Sequence, residues 1–390
     1  MNRLIARIVC SFAALAIVTS IFTANAAENG TKSGFHYYRD AVADVPWSIQ
    51  VMRVERSHPD LQFHTVIGHG DIAQVPLPNQ LLSFPAELGR PIAAINGDYY
   101  LDREPYLGDP KGLQVSRGEL ISAPCDWTCL WFDTNGHPQM SQVSSRLSVT
   151  WPDGTVLPIG LNEPRPSSKA VLYTRAIGDS TRTSGGTELI LEKASSTRWL
   201  PLEVGQEYTV VVREVRPRGN SPVAADSLVL SIGSKAMRNL PKIQNGAVLR
   251  IKTATEPALS DIETAIGGGP ALLRDGKVLV GWSAVRHPRS AIGWNKDYIY
   301  MVQVDGRQRG FSVGMTYSEL ADYMKKLGCD HALNLDGGGS ATFWALGNVM
   351  NSPSEGKARP IGNSLVLVQQ ADSTTNTVTL EEKAVKESVD

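Results

Sequence analysis

Short apolar runs, β-branched or alternating with polar residues, recur along this chain and are closed each time by glycine, proline or aspartate. "RPIAAINGDYY", "RLSVTWPDGTVLPI", "EYTVVVREV", "DSLVLSIG" and "AVLRIKTA" are of this kind, and their period and turn residues predict strands. "ALLRDGKVLV" predicts a hairpin on Asp275-Gly276, a pair that accepts the positive φ of a tight two-residue turn. "SAIGWNKDYIYMVQV" predicts a second hairpin, turning at Asn295 to Asp297. Helical signals are few. The clearest is "TYSELADYMKKLG", with Thr316 and Glu319 spaced as a capping box and Gly328 as the stop. Leu320, Met324 and Leu327 mark its buried stripe. The pattern predicts an α+β fold of strand-rich mixed sheets with few helices.

Near the C-terminal end the order of elements carries more information. The strand "YIYMVQV" ends in Asp305, the capped helix follows, and the strand "ALNL" ends in Asp336. Strand, helix, strand is a βαβ crossover, which requires parallel strands. Parallel strands release their carboxyl ends at one edge of a sheet, where binding crevices form. Asp305 and Asp336 are therefore expected side by side. Alternation puts Asn334 on the face of Asp336, and Arg307 on that of Asp305.

Asp336 is followed by Gly337, Gly338, Gly339 and Ser340. Glycine costs most to order and a turn needs one or two, so three in succession suggest close approach of backbone to something that is not protein. Gly267, Gly268 and Gly269 repeat the theme, and Asn96, Gly97 and Asp98 follow another apolar strand. Successive amides in glycine turns can cup an anion. Arg286, Arg289, Arg307 and Arg359, with His287 among them, supply planar forks that suit phosphate. One Asp-Gly after a strand is ordinarily a turn, and one arginine on a strand ordinarily a solvated charge. The weight lies in the combination.

Composition narrows the class. At 42% hydrophobic and 20% charged the chain reads as globular, and a net charge of -1 argues against nucleic acid or an anionic membrane surface as partner. Arg3 and Arg7, the apolar run from Ile8 to Phe22, and Ala24-Asn25-Ala26 read as a cleavable secretory leader over residues 1–26. The run is shorter than the ~20 residues of a spanning helix. The mature chain is thus expected to be exported, periplasmic or secreted, without a membrane span. Loss of Arg3 and Arg7 takes its net charge from -1 to -3. Residues 27–90 read as an N-terminal strand-rich part of the body and 91–368 as the main domain, with a β-rich lobe about 141–255. Residues 369–390, polar and without aromatics, read as a disordered or loosely attached tail.

Cys125 and Cys129 in "CDWTC" are expected to pair in an oxidising compartment, the alternative being two free thiols. Cys329 is expected as a buried thiol. No HExxH and no second Cys or His pair of ligand spacing is present, which argues against zinc. There is no G-x-S-x-G elbow, and no lysine follows the triple glycine as in a nucleotide P-loop. No cofactor is called for, although a structural calcium held by aspartate and backbone oxygens stays open.

Between Pro91 and Val368 these motifs, "AINGDYY", "VLYTRAIGDSTRT", "AIGGGPALLRDGK", "RHPRSAIGW", "VQVDGRQRGFSVGMTYSELADYMKKLG", "NLDGGGSATFW" and "NSPSEGKARPIGNSLVLV", resemble the phosphodiester glycosidase family. Two positions depart from its pattern. Asp98 and the tyrosines stand where glycine and phenylalanines are expected, which bears on substrate choice, and Ser290 stands for the usual threonine.

The resemblance implies hydrolysis of the anomeric C–O bond of a sugar 1-phosphodiester, N-acetylglucosamine-type or related, in an envelope or exopolysaccharide glycan. In that scheme Asp336 and Asp305 serve the sugar, one of them as nucleophile or base, and Asn334 and Asn96 hold hydroxyls. Arg289, Arg307 and either Arg286 or Arg359 face the phosphate. The Gly337–Gly339 turn cups an oxyanion or the sugar, and Asp98, Gly268, Gly269, His287 and Ser340 line the substrate. Two other classes compete: a non-catalytic polysaccharide-binding protein on the same fold, and a metal-dependent phosphodiesterase, against which the sparse His/Asp ligand set counts.

Overall fold

In the computed structural model the apolar runs become strands of three large sheets. The structure describes residues 33–42, 45–194, 199–281 and 284–370. The leader over 1–26 and the tail beyond residue 370 lie outside the described residues, and Gln369 still belongs to a strand.

A seven-stranded sheet runs in the order Phe35–Val42, Trp47–Glu55, Tyr298–Val304, Arg289–Trp294, His331–Asn334, Ala271–Arg274 and Lys277–Val278 among the described residues. Both hairpins form as the sequence predicts. Asp275 and Gly276 take φ of 50° and 70° between Ala271–Arg274 and Lys277–Val278. At the other turn Asn295 Oδ1 accepts the amides of Asp297 at 2.9 Å and Tyr298 at 2.8 Å. The capped helix spans Tyr317–Lys326, with both bonds of the Thr316/Glu319 box made. Leu320 and Met324 press it onto the sheet among Ile49, Val302 and Ala332. Three α-helices are present among the described residues, so the strand-rich α+β expectation holds.

The crossover departs from expectation in one respect. Tyr298–Val304 and His331–Asn334 run in the same direction, but each pairs antiparallel with Arg289–Trp294, which lies between them. The hairpin of residues 289–304 places its first strand between them, so the crossover spans two strand spacings. Both carboxyl ends still emerge at one edge, with the start of the Arg289 strand between them.

The other face of this sheet stacks on a five-stranded sheet containing Leu61–Ile67, Asn363–Gln369, Arg90–Asn96 and Phe343–Ala345. Met52, Ile92, Ile95, Ile292, Leu333, Phe343 and Leu365 fill the interface. In the eleven-stranded third sheet, Pro138–Thr150 pairs with both Val248–Glu256 and Val156–Leu161, closing residues 138–256 into a barrel. Val149, Leu172, Leu189, Val210, Leu230 and Ile251, all fully buried, form its interior. Its remaining strands, among them Cys125–Phe132 and Thr264–Gly267, reach out and dock on the five-stranded sheet through Thr264 Oγ1, which donates to Phe63 O at 3.2 Å. The three sheets therefore bring four strand ends to one place.

Candidate active site

Residues 96–98, 267–269, 288–290 and 334–338 meet there. The Asp336 amide donates to Gly97 O at 2.9 Å, Leu335 N to Ser290 O at 2.8 Å, Gly338 N to Pro288 O at 2.9 Å, and Gly269 N to Asn334 O at 2.7 Å. Asn96 ties the junction from inside. Its Nδ2 donates to Asp336 O at 2.7 Å, while its Oδ1 accepts from Ser290 Oγ at 2.6 Å and from the Thr342 amide at 3.1 Å. Asn96 is 1% exposed and makes three bonds within the fold, so it braces the acid turn instead of holding a sugar hydroxyl as the sequence suggested.

Asp336 itself is half-buried. Its Oδ1 accepts from the Gly337 amide at 2.8 Å, and Ser340 hydrogen-bonds the carboxylate. Burial raises its pKa above the usual carboxylate value, partly offset by Ser340, Gly337 and the charges of Arg359 and Lys111.

The second acid is not Asp305. Asp305 is 1% exposed and its carboxylate is spent on the fold. Oδ2 accepts from Ser48 Oγ at 2.9 Å; Oδ1 accepts from the Ser352 amide at 2.9 Å, from Gln303 Nε2 at 3.3 Å and from Asn351 Nδ2 at 3.4 Å. It reaches the predicted edge but turns inward as a strut between the 305 and 351 segments.

The acid beside Asp336 is Asp98, 2% exposed. Its Oδ1 accepts from the Tyr99 amide at 2.7 Å and its Oδ2 from the Gly112 amide at 2.6 Å. Burial, opposed by those two amides and joined by the charge of Asp336, pushes its pKa up to about 7. A Cβ on Gly267 would strike the Asp98 carboxylate, and one on Gly112 would come within 2.8 Å of it. Glycine at both positions makes its niche.

The triple glycine has a related cause. Side chains at its three positions would meet Pro288 O, then Arg307, then the Glu355–Arg359 pair. Gly337 and Gly338 spend their amides on Asp336 and Pro288, so these two do not form the open anion cup expected from sequence. The glycines let guanidinium groups lie against the backbone beside Asp336. Gly268 and Gly269 work in the same way, admitting Leu333, Asn334 and Tyr99, and do not line a cleft by their amides.

The arginines divide. Arg289 is 6% exposed; its Nε donates to Met315 O at 2.9 Å and its guanidinium carbon lies 4.0 Å from the centre of the Tyr317 ring. Arg307, at φ 61°, donates through Nη2 to His287 Nδ1 at 3.1 Å. Burial and then Arg289 and Arg307 lower the pKa of His287, which fits a neutral ring accepting at Nδ1. Among the described residues no carboxylate pairs with Arg289 or Arg307. Arg359 is bound by Glu355 and also touches Tyr100. Arg286 is held by Glu319 at the helix start and is committed to that contact. Asn334, 1% exposed, donates through Nδ2 to Leu335 O at 2.5 Å and to the Tyr99 hydroxyl at 3.3 Å.

Sequence reading missed Tyr99, Lys111, Trp127, Tyr317 and Glu355. Trp127 comes from "CDWTC", which forms no disulfide: Cys125 and Cys129 are free thiols on one strand. At about 3.3 Å per residue a strand separates i and i+4 beyond the roughly 7 Å limit of a bridge. Burial pushes the two thiols up to about 11 and about 12. Cys329 is buried as expected. Among the described residues no group of three or more His, Cys, Asp or Glu is arranged to hold a metal.

The site thus sets a half-buried carboxylate beside Arg307 and Arg359 on a strand-rich α+β body. Residues 204–368 match the model of the phosphodiester glycosidase family. The match takes in Arg289, Arg307, Asp336 and Arg359, and leaves Asp98, Tyr99 and Trp127 outside. The uncharacterized SPbeta prophage protein YomE of Bacillus subtilis (strain 168) is 35% identical over 91 residues, 23% of this chain and 14% of that one. A hypothetical protein from Synechocystis superposes with a TM-score of 0.68 at 20% identity, over 86% of this chain and 62% of that one. A Burkholderia pseudomallei K96243 protein described as exported gives 0.65 at 20% identity, over 83% and 74%. These likenesses establish the fold, and the chain spans less than two thirds of YomE and of the Synechocystis protein.

Proposed function

We propose that this protein hydrolyses the anomeric C–O bond of a sugar 1-phosphodiester. The observation that carries the reading is Arg289, almost wholly buried beside the acid turn with no carboxylate partner among the described residues. A buried guanidinium without a counter-ion is costly, and an anionic substrate group would supply one. With Arg307 it offers two forks to a phosphodiester, and Arg359, restrained by Glu355, is a third.

The chemistry follows from the groups available. A phosphate monoester leaves readily, its second pKa being about 6, so departure needs charge stabilisation more than a strong acid. Arg289 and Arg307 provide that. Asp336, half-buried and hydrogen-bonded by Ser340 and Gly337, attends the oxocarbenium-like carbon as nucleophile or as base for water. Asp98 lies behind it and sets its electrostatic environment.

Incubation of the purified protein with an N-acetylglucosamine 1-phosphodiester should release free reducing sugar and a phosphate monoester. In water enriched in oxygen-18 the label should enter the sugar. Label in the phosphate, or loss of turnover on chelation, would instead identify P–O cleavage by a metal-dependent phosphodiesterase. The leader read over residues 1–26 supports export, and N-terminal sequencing of protein from the producing cell should begin at Ala27.

A further inference from the structure

We propose that Trp127, with Tyr99, forms a sugar-ring subsite beside the acid turn; the inference rests on the phosphodiester reading above. Trp127 is 40% exposed, whereas Cys129 and Leu130 on the same strand are fully buried. The chain goes to some length to turn it out. Asp126 adopts φ 66°, the left-handed region that a non-glycine residue enters at a cost. The pairing of Cys125–Phe132 with Pro138–Thr150 slips by one residue between Cys125 and Thr128, a bulge that re-aims the side chain.

The bulge is held on both sides. Gln142 Nε2 donates to Asp126 O at 2.7 Å, and the Gly268 amide donates to Thr128 O at 3.1 Å. The second of these bonds ties it to the glycine turn that packs on Asn334. The indole meets the Tyr99 ring edge-to-face, with centroids 5.6 Å apart and planes at 86°. The Tyr99 hydroxyl accepts from Asn334 Nδ2 at 3.3 Å and shares a hydrogen bond with the Tyr317 hydroxyl at 3.5 Å. Tyr317 in turn lies under Arg289. A row of aromatic groups thus runs from the rim, at Trp127, to the cation assigned to phosphate.

A pyranose joined to phosphate through its anomeric carbon has the complementary form. Its anion seats on arginine, its apolar C–H face lies on an indole, and its hydroxyls meet phenolic oxygens. A rigid, amphipathic side chain such as tryptophan offers such area at small cost in conformational freedom. A bare phosphate or a phosphate on a flexible alkyl chain would use only the far end of the row.

The test uses the full chain and a ligand that is not turned over, the methylene phosphonate analogue of N-acetylglucosamine 1-phosphate, with inorganic phosphate beside it. Calorimetric titration of wild type, Trp127→Ala and Trp127→Phe is expected to show the phosphonate binding at least tenfold more weakly to Trp127→Ala. Trp127→Phe should retain most of the affinity, and inorganic phosphate should bind all three within about twofold. Equal loss of both ligands in Trp127→Ala, or unchanged phosphonate affinity, overturns the subsite while leaving phosphate binding in place. If wild type binds neither ligand, the phosphodiester reading itself fails.

Discussion

Asp98 and Asp336 come from different sheets and are joined through their backbones, the Asp336 amide donating to Gly97 O at 2.9 Å. One carboxyl is enclosed and the other half-buried, and the charge on Asp336 opposes ionisation of Asp98. The ionisation of these two carboxyls is therefore linked, whereas Asp305 is a strut on the same edge.

Asp336→Asn should lower kcat at least about a thousandfold while shifting stability by no more than about 1–2 kcal/mol. Asp305→Ala should do the reverse. It strands the donors of Ser48, Gln303 and Ser352, and about 2–4 kcal/mol of stability is expected to go, with kcat per folded molecule kept within a few-fold. Denaturant melts and single-turnover assays on both variants check the contrast.

Asp98 predicts how stability depends on pH. Its carboxyl titrates near 7 when folded against 3.8 in the unfolded chain, so the native state holds this proton more tightly. The corresponding stabilisation is fully present below about pH 4 and is lost as pH rises to about 7, a span worth at most about 4 kcal/mol. Asp98→Asn cannot titrate there and cannot accept from both the Tyr99 and Gly112 amides. It should be the less stable protein at pH 4, with a flatter decline between pH 4 and 8. Parallel slopes of melting temperature against pH would mean that Asp98 is ionised throughout.

At Arg289 a lysine keeps the charge but loses both the bond from Nε to Met315 O and the flat contact with Tyr317. Arg289→Lys should reduce kcat/KM for the phosphodiester by about one hundredfold. The loss should shrink when phosphate is replaced by a neutral leaving group such as nitrophenol. An equal loss with both substrates would place Arg289 outside the phosphate contact.

Gly338 has φ 61°, and a Cβ there would stand 3.0 Å from Arg307 Nη2. Gly338→Ala should cost about 1 kcal/mol through backbone strain and raise KM more than it lowers kcat, because Arg307 must move. Melting and steady-state kinetics test the two parts separately. A variant with unaltered KM would free Arg307 from substrate binding.

Local patterns made much of this legible. The capping box of Thr316 and Glu319, the Asp275-Gly276 turn and the Asn295 turn are each decided within a few residues, and each forms as read. The common direction of the strands before Asp305 and Asp336 was also readable, because a single helix connects them. Which side chains face a cleft was not. Asp305 turns inward because Ser48, from a strand some 250 residues earlier in the chain, reaches its carboxylate. Asp98 and Trp127 join Asp336 only because three sheets meet, and no period in the sequence records which loops of separate sheets become neighbours. "CDWTC" held a usable sign in its exposed tryptophan between cysteines, but the same spacing suggested a bridge, and the bulge at Asp126 was hidden in ordinary residues.

The antiparallel strand Arg289–Trp294, wedged between the two strands of the crossover and buried at every position, acts as a ruler for the cleft. Its first residue stands opposite Val304 and its third opposite Asn334. Sliding it by a single step would carry the guanidinium of Arg289 to the opposite face and put a hydroxyl in its place. The turn at residues 295–297 thus fixes which residue of this strand stands beside the acid turn, and an insertion that shifted the register would carry Arg289 away from it.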